Sequence, residues 1–242
     1  MSGGVALERV RIVLSRTSHP GNIGAAARAM KTMGFTALYL VEPGSFPDPV
    51  ADARASGADD ILRRARVVGS LEEALHGTVF SAAVTGRRRE WSVPARLVRE
   101  AAPDMLSCTA QGDVALVFGT ETSGLTNDEV ALCSVPVTIP ANPDFPSLNL
   151  GAAVQLLCYE LRMAALDPVA LVEPAGVLAT FEEIEGFHWH LLQAMIASGF
   201  HNPDNPKRLV PRVRRLFGRI RLEREEINIL RGILGALERK PD

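Results

Sequence analysis

No stretch of this sequence approaches the roughly 18 consecutive apolar residues of a membrane-crossing helix. Its N-terminus shows no signal-peptide pattern either, so a cytoplasmic protein that does not meet a membrane is expected. The three cysteines, Cys108, Cys133 and Cys158, make no C-x-x-C pair and are odd in number, which argues for reduced thiols rather than a disulfide framework or a zinc site. Of the five histidines, His188 and His190 are close in sequence, but a spacing of two points them apart on a helix, so no metal site is expected. The familiar nucleotide and hydrolase signatures are missing: no G-x-G-x-x-G, no G-x-x-x-x-G-K-[ST] and no G-x-S-x-G occurs. That disfavours a dehydrogenase, a P-loop NTPase and an α/β-hydrolase. A net charge of −2 argues against a bulk polycation.

Charge is nevertheless uneven. From Asn205 to Arg224 there are eight Lys or Arg and one acid, Glu223. That segment suits a nucleic-acid contact and equally a solvated helix face. At 242 residues the chain can hold one sizeable domain and a small one.

Alternating apolar runs and helical periodicities argue for an α/β domain with a mostly parallel sheet and helices on both faces. Strands are expected at 10–14, 36–41, 66–68, 79–84, 114–118 and 135–139. Helices are expected at 23–33, 50–64, 71–75, 94–102, 126–133 and 149–163, with Asn22 as the N-cap of the first and Gly34 as its C′ residue. A Pro/Gly-bearing linker, 166–179, separates a first domain, 1–165, from a helical extension, 180–242, with helices at 181–198, 206–217 and 223–237.

Two strand-to-loop transitions organise the first domain. Val114 to Phe118 ends in Gly119 and the polar loop Glu121-Thr122-Ser123-Gly124, and the strand 135–139 ends in Pro140 and a proline-rich loop running to Ser147-Leu148-Asn149. Placed on neighbouring parallel strands, these loops would enclose a crevice at the strands' carboxyl ends, the usual ligand position in open α/β sheets. In the first helix Arg28 stands among small residues, Gly24, Ala25, Ala26 and Ala27, which let another group approach closely. Arg87-Arg88-Arg89 follows a strand end, as a phosphate- or RNA-facing loop or a solvated one would.

Three of these segments carry a sharper resemblance. Asn22-Ile23-Gly24-Ala25-Ala26-Ala27-Arg28-Ala29, Phe118-Gly119-Thr120-Glu121 with Gly124-Leu125, and Ile139-Pro140 through Ser147-Leu148-Asn149-Leu150 resemble, in order, the three motifs of the SpoU branch of the SPOUT RNA methyltransferases. TSHPGNIGAAARAMKTMGF, GLTNDE, ANPDFPSLNL and the tail segment Ile227 to Leu234 are most similar to the TrmJ tRNA methyltransferase family, across nearly the whole chain.

The resemblance implies S-adenosylmethionine-dependent methylation of a ribose 2′-hydroxyl in tRNA, at cytidine or uridine 32 of the anticodon loop. It also implies a C-terminal trefoil knot in the α/β domain and a homodimer. On the matching positions it assigns catalysis to Arg28, Asn22, Glu121, Ser147 and Asn149. It assigns the cofactor to Val84, Thr85, Gly86, Gly119, Ile139, Pro146, Ser147 and Leu148, mostly through backbone groups.

A 2′-hydroxyl is a poor nucleophile and needs its proton removed or its developing charge stabilised. An arginine base would require a large depression from a reference value of about 12.5 or more, so charge stabilisation is the safer role for Arg28. Asn22, Ser147 and Asn149 can also be read as helix caps, and Glu121 as a loop acid. Arg87, Arg88, Arg89, Arg212, Arg214 and Arg215 are the candidate RNA contacts. The family commonly carries arginine directly after the Phe-Gly pair, where this chain has Thr120. A ribosomal-RNA enzyme of the same branch, or a non-catalytic RNA binder on the same fold, are the alternatives.

Overall fold

The computed structural model describes residues 7–86, 94–142, 144–166, 174 and 176–238. Within them, β1 (Val10–Ser15), β2 (Ala37–Val41), β3 (Arg66–Val68), β4 (Thr78–Val84), β5 (Arg96–Leu97), β6 (Asp113–Phe118) and β7 (Val135–Thr138) form one sheet in the order β3-β2-β1-β6-β4-β7-β5. Every pairing is parallel. The unbroken apolar strands follow from burial on both faces. Ile12, Leu14, Leu38, Leu40, Leu116 and Phe118 face one way, and Val13, Tyr39, Val41, Ala115 and Val117 face the other.

The first face is covered by α1 (Pro20–Met33), α2 (Pro49–Ala55), α3 (Asp59–Arg64), α5 (Val98–Cys108) and α7 (Leu150–Leu166); the second by α4 (Leu71–Leu75) and α6 (Asn127–Leu132). The small residues of α1 are used for close helix contact. A Cβ on Gly24 would collide with the Ala51 carbonyl of α2, and one on Gly151 of α7 would lie 2.7 Å from the Ala25 methyl. Helix α1 therefore sits wedged between α2 and α7, fixed in rotation by two side-chain-free approaches.

Several expectations are corrected. The helix expected over 50–64 is two helices, because Ser56 and Gly57 adopt left-handed backbone, with φ of 46° and 89°. The helix expected over 94–102 begins later and runs further, since Arg96 and Leu97 pair with β7 as an edge strand and Pro103 is accommodated inside α5. Asn22 is not the N-cap of α1: His19 is, its ring accepting the Gly21 N–H at 3.0 Å, with Pro20 at the first helical position where its missing N–H costs nothing. Gly34 closes the helix at φ 84°, as expected. Finally, β6 and β7 are not neighbours. β4 runs between them, so a third strand end, Thr85-Gly86, enters the crevice.

In the tail, α8 (Phe181–Ala197), α9 (Leu209–Phe217) and α10 (Arg224–Glu238) enclose their own small core of Phe187, Leu222 and Ile227 with Ile184, Leu191, Phe217, Leu230 and Leu234. Leu237, expected on that stripe, is 77% exposed because the last turn of α10 extends beyond the core. Thr180 caps α8 in a capping box with Glu183. Gln111, between α5 and β6, holds the start of the tail, donating to the Gly176 carbonyl at 2.8 Å and accepting the Leu178 N–H at 2.7 Å. The trefoil knot is a property of the whole chain path, and the connection 87–93 and most of the linker lie outside the described residues.

Candidate active site

Three segments meet at the carboxyl edge of the sheet. The loop after β1 leads into α1, the loop after β6 carries Glu121, and the loop after β7 leads through Asn149 into α7. The Glu121 carboxylate gathers them. It accepts hydrogen bonds from the Ser18 N–H (3.2 Å) and hydroxyl (3.0 Å), the His19 N–H (3.3 Å) and the Asn22 side-chain amide (2.9 Å). Burial alone would raise its pKa, but these donors, Asn22 first, outweigh it and bring Glu121 down from 4.5 to about 2. Asn22 in turn accepts from the Asn149 amide at 3.5 Å, while the Asn149 carbonyl oxygen accepts the Gly151 N–H at 2.9 Å. Asn149 is thus both the cap of α7 and a link in the network. With His19 capping α1, Asn22 has its side chain available for Glu121.

Arg28 lies six residues beyond Asn22, about 9 Å along the axis of α1. It is exposed, and its guanidinium has no hydrogen bond or ion pair among the described residues. The structure therefore joins Asn22, Glu121 and Asn149 directly and leaves Arg28 projecting from the same helix. Ser147 is exposed beside them.

The proposed cofactor residues stand at the carboxyl ends of β4, β6 and β7 and in the loops that follow them. Gly86 faces the Pro146 carbonyl, which a Cβ at residue 86 would meet at 3.9 Å, an ordinary contact distance. Thr85 is buried, with its N–H on the Val137 carbonyl at 2.9 Å. Val84 and Ile139 are half-buried, and Pro146 and Leu148 present exposed apolar surface. At Gly119 the close approach comes from the chain itself, since a Cβ there would collide with the backbone of Gly124 and Leu125 folded over it. Thr120 closes that turn, its hydroxyl 2.8 Å from that of Ser123 and accepting the Ser123 N–H at 3.2 Å. A cavity of about 1190 Å³ lies between β4, α6 and the tail helices α8 and α9, and its lining includes Ser123 and Leu125 of the loop that carries Glu121.

Of the candidate RNA contacts, Arg87, Arg88 and Arg89 lie outside the described residues. Arg212 is exposed and Arg215 half-buried. Arg214 is held in a two-point ion pair with Glu185, both distances 2.6 Å, so on this arrangement it braces α9 against α8. His188 packs on Phe187 and Phe217; burial first, and then the Arg214 charge, bring its pKa down to about 4. Among the described residues no His/Cys/Asp/Glu cluster suits a metal ion, and no helix is long and apolar enough to cross a membrane.

Sequence reasoning missed Ser15, Arg16, Ser18, His19 and Glu129. Thr126 caps α6 in a capping box with Glu129. Nothing local shows that the Glu129 carboxylate also reaches Ser15 at 2.5 Å and Arg16 at 2.8 Å.

The profile of the SpoU rRNA Methylase family matches residues 9–159, and that of the TrmJ tRNA methyltransferase C-terminal domain matches residues 182–242. The chain belongs to the SpoU methylase family. Among its relatives, the tRNA (cytidine/uridine/adenosine-2′-O-)-methyltransferase TrmJ of Pseudomonas aeruginosa (strain UCBPP-PA14) is 49% identical, the match covering 94% of this chain and 93% of that one. The tRNA (cytidine/uridine-2′-O-)-methyltransferase TrmJ of Sodalis glossinidius (strain morsitans) is 45% identical, over 98% and 94% of the two chains. The crystal structure of TrmJ from Z. mobilis ZM4 superposes with a TM-score of 0.81 at 35% identity, covering 95% of this chain and 99% of that one.

Proposed function

We propose that this protein transfers a methyl group from S-adenosylmethionine to the ribose 2′-hydroxyl of nucleoside 32 in the anticodon loop of tRNA. The observation that carries the reading is the Asn149–Asn22–Glu121 network, which joins the Arg28-bearing helix to the loops after β6 and β7. The names of the TrmJ relatives support tRNA over ribosomal RNA, as does the match of the tail to the TrmJ C-terminal domain.

The cofactor, bound along Val84 to Gly86, Gly119, Ile139 and Pro146 to Leu148, would supply an electrophilic methyl on a positively charged sulfur. The chain's own part would be to hold the ribose 2′-hydroxyl against that methyl and let its proton pass to solvent. In this scheme Arg28 stabilises the negative charge growing on the oxygen. Asn22, Glu121 and Asn149 fix the first turn of α1, and Ser147 lies where the ribose or cofactor enters. Arg87 to Arg89 and Arg212 serve the RNA backbone. The division into a methyltransferase domain, 1–165, a linker and a tRNA-binding tail, 180–242, belongs to the same reading, as do the knot and a cytoplasmic location beside the substrate.

We place the homodimer contact on α7. Its outward residues Leu156, Tyr159, Met163 and Leu166 form an exposed apolar stripe at helical spacing opposite the buried Leu157 and Leu161. The wild-type protein is expected to show twice the chain mass by light scattering. Tyr159→Glu with Met163→Glu is expected to give the single-chain mass; a dimer surviving in that variant places the contact elsewhere.

The function is tested with labelled S-adenosylmethionine and unmodified tRNA, locating the product by digestion and mass spectrometry. A 2′-O-methyl at position 32 is the expected result. Transfer to ribosomal RNA alone would move the substrate assignment, and absence of cofactor binding would leave a non-catalytic RNA binder.

A further inference from the structure

The loop between β1 and α1 is held at both ends by carboxylates. Glu121 takes its far end, at Ser18 and His19, and Glu129 takes its near end. The Glu129 side chain is only 9% exposed, yet one of its oxygens receives both the Ser15 hydroxyl (2.5 Å) and the Arg16 guanidinium (2.8 Å), while the other accepts the Thr126 N–H at 2.6 Å. Successive strand residues ordinarily point to opposite faces. Ser15 and Arg16 reach the same atom because Arg16 adopts left-handed backbone, φ 49°, its own N–H anchored on the Val41 carbonyl at 2.8 Å. A bulky non-glycine residue in that region is uncommon and strained, so the side chain earns its place by what it does.

The Arg16 guanidinium carries five N–H donors in a planar fork. One nitrogen lies on Glu129, the side chain is 44% exposed, and its remaining N–H groups have no partner among the described residues. Its position follows from register. β1 and β6 pair as far as Leu14 with Phe118, so Arg16 lies level with Thr120, at the start of the loop that carries Glu121. On its other side is α6, against which the basic helix α9 packs. A fixed, half-open cation thus stands beside the loop that carries Glu121, with its carboxylate partner on the helix against which α9 packs.

We infer that Arg16 binds a phosphate of the RNA substrate at the mouth of the reaction site, with the buried Glu129 carboxylate as the positioning residue that aims its guanidinium. The inference rests on the reading of the protein as a tRNA methyltransferase and adds to it a substrate contact on the β1 loop. A guanidinium held at one edge by a carboxylate still offers a pair of donors to two phosphate oxygens. A surface ion pair of purely structural purpose would need neither the strained backbone nor the open side of the fork.

The test uses the full-length protein and unmodified tRNA, measuring tRNA affinity across a salt series together with kcat, KM, cofactor affinity and thermal midpoint. Arg16→Ala is expected to weaken tRNA binding about tenfold and to lower the salt slope by about one, the mark of one lost phosphate contact. Cofactor affinity and kcat at saturating tRNA should hold. Arg16→Lys should restore the slope and part of the affinity. Glu129→Gln should lose affinity with the slope kept, because the cation remains but is no longer aimed. Unchanged affinity and slope in a folded Arg16→Ala protein would overturn the inference and leave a structural ion pair. If that variant does not fold, Arg16→Gln, which can still hydrogen-bond Glu129, is read by the same slope, and an unchanged slope overturns it equally. Failure of the wild-type protein to methylate or bind tRNA is a different result: it removes the underlying function, and the wild-type control shows it before any variant is compared.

Discussion

Arg28→Ala is expected to lower kcat for methyl transfer to tRNA by a factor on the order of 100 to 1000, with cofactor affinity and thermal midpoint unchanged. The stability half follows from the side chain's surroundings. Arg28 is exposed and its guanidinium bonds to nothing among the described residues, so truncation removes no hydrogen bond or ion pair there and opens no buried cavity. The catalytic half follows from how firmly the helix is set. Gly24 approaches the Ala51 carbonyl and Ala25 approaches Gly151, and Arg28 is one turn beyond both, four residues from Gly24 and three from Ala25. The two close contacts therefore aim it out of the groove between α2 and α7. Helical side chains lean toward the N-terminus, which tilts the guanidinium toward the first turns of α1. A charge so placed without a partner in the free protein meets its counter-charge only when substrate arrives. Because the interaction strengthens as negative charge develops on the ribose oxygen, its loss falls on kcat more than on KM. Arg28→Lys keeps the charge without the planar fork and should recover only part of the rate. Single-turnover transfer of labelled methyl, beside calorimetric titration of cofactor, checks this; a kcat retained in Arg28→Ala would place the reacting oxygen away from α1.

What could be read from the residues and what could not divide along a physical line. The apolar runs from Val114 to Phe118 and Val10 to Leu14, the periodicity of α1 and the glycine stop at Gly34 are local, and the structure has all of them. The order of strands is not local. Nothing in Val135 to Ile139 shows that it pairs with β4 rather than β6, and that pairing decides which loops share the crevice. A two-residue edge strand such as Arg96–Leu97 is too short to carry a period, and exists because β7 offers it a partner. Capping shows the same limit at finer scale. Asn22 is a good cap by residue type, but His19 and Pro20 take the helix start, and the difference leaves the Asn22 amide to bond Glu121. Arg214, one of a basic run in sequence, acquires Glu185 from a helix 29 residues earlier. The candidate site was legible as three motifs; the bonds that join them required the fold.

Glu121→Gln is expected to cost activity about a hundredfold and stability about 1–3 kcal/mol, and to flatten the dependence of stability on acid. Four donors converge on the Glu121 carboxylate, and an amide in its place turns one acceptor oxygen into a donor facing other donors. Whichever way the amide is turned, the Asn22 side chain or the Ser18 hydroxyl and N–H lose their partner, and the first turn of α1 loosens where Arg28 must be held. The acid dependence has a definite sign. The native pKa of Glu121 lies near 2, below its ordinary 4.5, so the unfolded chain binds the proton more readily than the folded one. Stability from this carboxylate is therefore fully present above about pH 5 and is lost as the pH falls through 4.5 toward 2. Glu129 and Glu182 are lowered too and will shape the wild-type curve. The contribution of Glu121 is the difference between wild-type and Glu121→Gln denaturation midpoints, measured in steps from pH 7 to pH 2.5. That difference should be constant above pH 5 and close below it. A gap that stays open into acid would mean the variant is destabilised by a misplaced amide alone, and that the ionised carboxylate is not what binds the β1 loop to the β6 loop.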